Sequence, residues 1–435
     1  MENYKLPKGY EEKRQELTFL HDSYAGGKHF KQYLRKFSNL EPEENWLYRK
    51  DLIAYGNLVK PGVNLYSSFI FGKPLNRTIS DDSFYSDCDN NGNSLDMFFS
   101  HVAADCMIYG KGNVLIDSGK TVPEFGTATG YFLTRIPEKD VIEAIFNENK
   151  NCLKIVFFEK NNVVLSLNAV DKIYIRYAKE ESGTDFTEIE RGSYNFSAVP
   201  FFSADLQESQ ILDIADLAKL HLNLTSGLDW FHLRQCFPTM ILPGYRKRSG
   251  DKEVIEHGSN ALATDEADQK PYYISPPVDT AVRIQERLSK IEDQITALFG
   301  ITGGQASIKS TEASGASLAV QFQGFNARIS LLAQKLQGLE NLIADWMMEN
   351  ANIEYSVQYN SDYSTFAISD IIQIIKTVNE LNLRSDSLDS EIAEKLIKSL
   401  FPNIDENTKH LILHEIAESQ KMEKRAPTIG DIENG

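Results

Sequence analysis

Disulfide chemistry is the first thing this sequence is too poor to support. Its four cysteines, Cys88, Cys106, Cys152 and Cys236, are widely scattered and form no C-x-x-C pair. That excludes a disulfide framework and a zinc ribbon, and reduced thiols are the expectation. Long apolar runs are missing too. Leu153 to Phe158, interrupted by Lys154, is among the longest and falls far short of the roughly 20 residues a membrane span needs. The opening MENYKLPKGYEEKRQEL is charged and lacks the apolar core of a secretory signal, so the chain is expected to stay where it is made. Positive charge is in deficit, with 45 Lys and Arg against 62 Asp and Glu and a formal net charge of −17. Such a balance opposes wrapping of nucleic acid, where phosphates are neutralised by clustered cations. It does not oppose passage of DNA through an acidic-walled conduit, where repulsion prevents sticking. No Ser/His/Asp or Cys/His signature, no G-x-S-x-G elbow and no internal repeat occurs. The sequence offers no active site, and a non-enzymatic role without metal or cofactor is expected.

What is present is material for a folded protein: 435 residues, 42% hydrophobic and 11% aromatic, enough for two or three domains. To about residue 205 the patterning mixes helix and strand. Tyr48 to Phe71 reads as a helix before a Gly-Lys-Pro turn, and Ser94 to Tyr109 as a second helix opened by the turn-rich DCDNNGN. Short β-branched or aromatic runs follow at 112–117, 131–135, 141–146, 153–158, 163–167 and 172–177, spaced as in a meander. An α+β domain with an antiparallel sheet is expected. A helix then runs from about Ser209 to Cys236, with Ile211, Ile214, Leu217, Leu220, Leu224, Leu228 and Phe231 at steps of three or four. Pro238 stops it. Residues 239–277 form a small polar insert with strand candidates at 239–242, 260–263 and 271–274. Its two ends lie close together only if the helices on either side are roughly antiparallel.

From Val278 the chain becomes most informative. Ile284, Leu288, Ile291, Ile295 and Phe299 put one apolar stripe on a helix that ends at Gly300. Residues 300–315, GITGGQASIKSTEASG, contain almost nothing that could anchor a core and read as a mobile loop. Leu318, Phe322, Phe325, Ile329, Leu332, Leu336, Leu339, Ile343 and Trp346 then carry one apolar face through about eight turns of helix. A strand candidate at 350–359, short helices at 369–381, 387–401 and 407–419, and a disordered tail from Gln420 complete the chain.

Several near-motifs fail on inspection. Gly303 to Ser310, GGQASIKS, places Lys309-Ser310 after a glycine cluster, but Ile308 stands where a phosphate loop needs its second glycine. DCDNNGN begins like a calcium loop at Asp87, Asp89, Asn91 and Gly92, yet position twelve is Phe98 rather than Glu, so a turn that caps the following helix is expected. His410 and His414 stand four apart with no third ligand, so a solvated helix face is expected, and His221 and His232 flank the apolar stripe of the first long helix, where packing or interface roles are expected. Arg246, Lys247 and Arg248, followed at once by Asp251 and Glu253, read as a solvated or inter-subunit face.

The order of these parts is similar to that in the portal proteins of tailed bacteriophages, and local stretches agree. SLDMFFSHVAADCMIYGKGNVLID (Ser94 to Asp117) resembles the helix-then-strand segment near the start of the family's wing. ILDIADL and FPTMILPG resemble the first stem helix and its passage into the clip, and SGASL (Ser314 to Leu318) the start of the long wing-to-crown helix. The resemblance implies a wing at 1–208, a stem helix at 209–237, a clip at 238–277, a second stem helix at 278–299, a tunnel loop at 300–315, a long helix at 316–352 and a short crown at 353–435. It implies a ring, commonly of twelve copies, at one capsid vertex of the virion, assembled in the host cytoplasm. Double-stranded DNA passes through its channel during packaging and ejection. The implied partners are the terminase large subunit, the major capsid or scaffolding protein, and adaptor or tail proteins, with no membrane. Gln305, Ser307, Lys309, Ser310 and Thr311 are then candidates for the channel, and Arg246, Lys247 and Arg248 for partner docking. Ile284, Leu288, Ile291, Ile295, Leu217 and Leu224 are candidates for stem packing, on the argument that their stripes are too long to bury in one hairpin and need a neighbour. Asp279, Glu286, Glu292, Asp293, Asp213, Asp216 and Asp229 would line the channel or pair between subunits with Arg283, Arg287, Lys290 and Arg234. Another virion ring, such as an adaptor, and a nucleotide-dependent enzyme are the competing readings.

Overall fold

Helix α6, Leu95–Tyr109, is apolar nearly all round, so it can only be a core helix. The Ser94 hydroxyl accepts the Met97 amide at 3.4 Å to start it, and Gly110, at φ +80°, ends it by donating its amide N–H to the Cys106 carbonyl. In the computed structural model the described residues are 3–118, 130–159, 163–179, 185–193, 197–236, 238–243, 261–264, 270–275, 277–301, 315–360, 363, 412 and 414. Around α6 gather α1 (Tyr10–Ala25), α4 (Lys60–Phe71), α7 (Leu212–Cys236), α8 (Val278–Leu298) and α9 (Gly315–Ala351), whose apolar faces contribute to one large core. The short helices α2 (Gly27–Lys31), α3 (Glu43–Leu52) and α5 (Asp82–Ser86) join this layer.

The fold is α+β. Strands β5 (Val141–Phe146), β6 (Cys152–Phe158), β7 (Val163–Asn168), β8 (Ile173–Lys179) and β9 (Phe186–Ser193) form an antiparallel meander, and β1 (Asn3–Tyr4) adds to β9 at its edge. Strand β6 alternates between two small cores: Ile155 and Phe157 enter one, Val156 and Phe158 the other, as a period of two requires. Two of the expected strands leave this meander. Strands β3 (Lys111–Ser118) and β4 (Tyr131–Ile136) form a separate three-stranded sheet with β10 (Phe201–Asp205), in the order β10-β3-β4. The expected helix at 48–71 is also two helices. The first, α3, ends at Leu52; Pro61 fits the first turn of α4, and the Asn57 side-chain Oδ1 accepts the amides of Val59 and Lys60 at 2.9 Å in the turn that leads into it. Strands β11 (Thr239–Pro243), β12 (Ala261–Thr264) and β13 (Tyr272–Ile274) make a small sheet in which β11 and β12 run parallel.

A buried polar cluster fastens α9. The Glu340 carboxylate, fully buried, accepts from Arg77 Nε at 2.6 Å and Nη2 at 3.1 Å, from the Tyr359 hydroxyl at 2.6 Å, and from the Tyr355 hydroxyl. Arg77 also pairs with Asp96 of α6. Arg77 lies on β2 (Asn76–Ile79), which pairs with β14 (Tyr355–Gln358), so one carboxylate ties α9 to that two-stranded sheet and to α6. The chain forms two compact units, Met1–Glu312 with Val320–Tyr363, and Ala313–Ala319 with Ser364–Gly435. Of the second, only the first residues of α9 and the helical Ile412 and His414 belong to the described residues; the expected helices at 369–381, 387–401 and 407–419 otherwise lie outside them.

Candidate functional site

The α7–α8 hairpin and the end of α8 hold the most purposeful geometry in the chain. His221 Nε2 and Glu292 Oε1 are 3.0 Å apart across the two helices, and Thr239 pairs with Ile274 in the small sheet at their far ends. The two pairs are equally far apart along each arm, so α7 and α8 are antiparallel and in register. Gly300 ends α8 at φ +76°, its amide bonded to the Ala297 carbonyl at 2.9 Å and the Ile301 amide to the Thr296 carbonyl at 3.0 Å, a Schellman closure. Two side chains satisfy carbonyls of that last turn. The Tyr66 hydroxyl donates to the Phe299 carbonyl at 2.7 Å, and Arg328 Nη1 donates to the Leu298 carbonyl at 2.5 Å. The Phe299 ring lies against Gly62, where an added Cβ would come within 2.4 Å of it. Residues 302–314 therefore leave from a turn held by α4 and α9.

The stem-packing candidates separate. Leu288, Ile291 and Ile295 are buried within the chain and Ile284 is half-buried, so the α8 stripe is covered largely by its own subunit and does not itself demand a neighbour. On α7 the buried face is Ile214, Ala215, Ala218, Leu222 and Ser226, while Leu217 and Leu224 are half-buried at its margin and Leu220 is 40% exposed. Asp279, Arg283, Glu286, Arg287, Lys290 and Asp293 of α8 are exposed, and among the described residues none of them is ion-paired within the chain. Asp213 and Asp216 are likewise exposed, and Asp229 is half-buried, its carboxyl raised by burial against the influence of His232. Gln305, Ser307, Lys309, Ser310 and Thr311 lie outside the described residues, as do Arg246, Lys247 and Arg248, the Gly303 to Ser310 near-motif and His410. His414 is exposed on a helix.

Nothing described resembles a catalytic centre. The Asp87 and Asp89 carboxylates are taken up by the chain's own amides: Gly92 donates to Asp87 at 3.0 Å, and Asn91 and Asn93 donate to Asp89 at 3.0 and 3.3 Å, as a capping turn requires. No group of three potential metal ligands occurs among the described residues. All four cysteines are free, and burial pushes the Cys88, Cys106 and Cys152 thiols upward. A cleft of ≈ 50 Å³ between Tyr66, Gln210, Phe299 and Arg328 has room for little beyond water.

The most perturbed carboxylate is structural. Asp105 is buried in α6; Arg135 Nη1 donates to its Oδ1 at 3.0 Å while Oδ2 has no partner. Burial, opposed by Arg135, raises its pKa to about 6. The folded chain thus holds a proton that the unfolded chain releases near pH 4, and this group's contribution to stability falls as pH rises from about 4 through 6. Asp105→Asn is expected to stabilise the protein by about 1–2 kcal/mol at pH 7 and to lose that advantage progressively as pH drops from about 6 to about 4. Urea melts of both proteins at each pH check this, and a difference independent of pH would count against it.

The sequence reading missed Tyr66 and Arg328. Arg328, a lone cation within the apolar stripe of α9 between Phe325 and Ile329, was the one available signal.

No protein-family model matches the chain, and neither does any curated protein. Solved structures similar to it include a chain from the neck of an empty gene transfer agent (GTA) particle computed with C6 symmetry, at 10% identity and TM-score 0.45, covering 81% of this chain and 93% of that one. A chain from the virion of the native GTA particle matches at 10% identity and TM-score 0.43, covering 90% and 94%. A third, from the native neck computed with C12 symmetry, matches at 10% and 0.42, covering 91% and 95%. At these values the likeness assigns neither family nor function.

Proposed function

We propose that this chain is the subunit of a portal ring, a closed homo-oligomer at a capsid vertex whose channel passes double-stranded DNA in packaging and ejection. One observation carries the reading. An antiparallel helix pair, α7 and α8, is tipped by a small sheet and leads, through a turn clamped by Tyr66, Arg328 and Phe299, into a polar Gly-, Ser- and Thr-rich segment and then a 37-residue helix. A segment almost without core-forming residues, entered from a clamped turn and followed by a long helix, suits a part that borders a passage. Lys309, with Gln305, Ser307, Ser310 and Thr311, would offer the phosphates one cation per subunit, a weak ring that follows the backbone without gripping it. The tip at 238–277, with Arg246, Lys247 and Arg248, would receive the terminase large subunit and later adaptor or tail proteins. The α+β body would face the major capsid or scaffolding protein.

Native mass spectrometry and negative-stain imaging of the purified protein should show rings with a central hole; a strictly monomeric or dimeric particle at high concentration would sink the reading. Deletion of 303–313 is expected to leave ring formation intact while impairing DNA retention in assembled heads, and Lys309→Ala to leave assembly unchanged. Loss of folding on that deletion would show the segment to be a structural part of the subunit instead.

A further inference from the structure

Two exposed apolar patches stand at the same level of the α7–α8 hairpin. The first is the turn at 37–40 with the outer face of α3. Leu40 is 92% exposed, and Phe37, Leu47 and Tyr48 are each about half exposed. Glu44 and Asp51 bracket Leu47 and Tyr48 on one helical face at i, i+3, i+4, i+7 spacing; both are exposed and neither is ion-paired among the described residues. This surface is held from beneath. Arg49, 2% exposed, donates Nε and Nη2 to Glu41 at 2.7 and 2.8 Å, Nη1 to Ser226 at 2.8 Å and Nη2 to the Arg35 carbonyl at 3.0 Å, with its guanidinium 3.5 Å from the centre of the Phe37 ring. A fully buried cation that fixes a nearly bare leucine is an arrangement for presenting it.

The second patch is the N-terminal half of α8, where Val278 is 64% and Val282 47% exposed, beside the unpaired Arg283 and Arg287. The levels follow from the hairpin register. Arg49 meets Ser226 and Tyr48 packs edge-on against Trp230, and in a register set by His221–Glu292 and Thr239–Ile274, Ser226 to Trp230 lie level with Arg287 to Arg283. The first patch carries Glu44 and Asp51 at its edge, and the second carries Arg283 and Arg287 among exposed charges that also include Asp279 and Glu286. For copies related by rotation about an axis along the hairpin, equal height removes any axial step, so a contact through these patches suits a closed ring and not a filament.

We propose that the Leu40 and α3 patch of one copy seats the N-terminal half of α8 of a second copy of this chain, with Glu44 and Asp51 opposite Arg283 and Arg287. This rests on the ring reading and names its contact. The test is mass photometry of purified protein at low salt, with circular dichroism to verify folding of each variant. Glu44→Lys with Asp51→Lys, and separately Arg283→Glu with Arg287→Glu, should each reduce rings at least tenfold in favour of monomers. An equimolar mixture of the two double variants, or one chain carrying all four changes, should recover them. Rings unaffected by either double variant, or no recovery on mixing, overturn this contact while the ring reading stands. A wild-type chain monomeric at every concentration overturns both.

Discussion

Glu340→Ala is expected to lower the unfolding free energy by about 3–5 kcal/mol, because it strands a buried guanidinium. The Arg77 side chain is 4% exposed, and Glu340 is the only fully buried partner its fork meets; Asp96 on the other side is 36% exposed. Two tyrosine hydroxyls, on Tyr355 and Tyr359, lose their acceptor in the same stroke. Both now have their ionisation pushed far upward, by burial first and by the adjacent carboxylate second, so they act as permanent donors. Arg77→Met combined with Glu340→Leu should lose much less than Glu340→Ala alone, since the charge leaves along with its partner. Urea unfolding followed by circular dichroism measures both. A loss below about 1 kcal/mol for the single variant would mean that solvent reaches Arg77 and that the cluster does not fix α9. The consequence is mechanical: Glu340 sets the register of the helix that also carries Arg328, the clamp on the end of α8.

How much of this was legible in the chain depended on whether the signal was local. The α8 stripe was, since Leu288, Ile291, Ile295 and Phe299 repeat at helical spacing and are buried. So was the stop at Gly300. The α7 face was misjudged because helices that approach closely bury small residues: Ala215, Ala218 and Ser226 face the core and carry no hydropathy signal, while Leu217, Leu220 and Leu224 drew attention to the margin. Strand β9 was missed because its TEIERG stretch is charged and only partly buried, held by backbone pairing with β8 rather than by apolar area. The division of the expected meander into two sheets turns on β10 pairing with β3, a contact between segments far apart in sequence. Tyr66 against Phe299 is the same kind of fact, a contact 233 residues apart. The α8 stripe also gave a false inference, that it needed a neighbour, because periodicity shows that a face is apolar and not which surface covers it.

Arg49→Ala is expected to match the Glu340 effect at about 3–5 kcal/mol, by the converse route of stranding a carboxylate. The Glu41 side chain is 7% exposed, and its carboxyl is held below the usual range first by the hydrogen bonds from Arg49. An acid whose folded pKa is depressed adds stability that is complete above its unfolded value, near 4.3, and lost as pH falls through the folded value. The gap between wild type and Arg49→Ala should therefore be full at pH 7 and narrow on acidification below about 4. Arg49→Lys keeps the charge but not the planar fork, which now reaches Glu41, Ser226 and the Arg35 carbonyl at once, so it should restore part of the stability while leaving the Phe37 to Leu40 turn without its template. The lysine variant thus separates folding from presentation: a protein that is folded by circular dichroism but assembles poorly is the expected result. An Arg49→Ala protein as stable as wild type, with the same acid limb, would show that Glu41 finds water in place of the guanidinium and that the turn needs no buried cation.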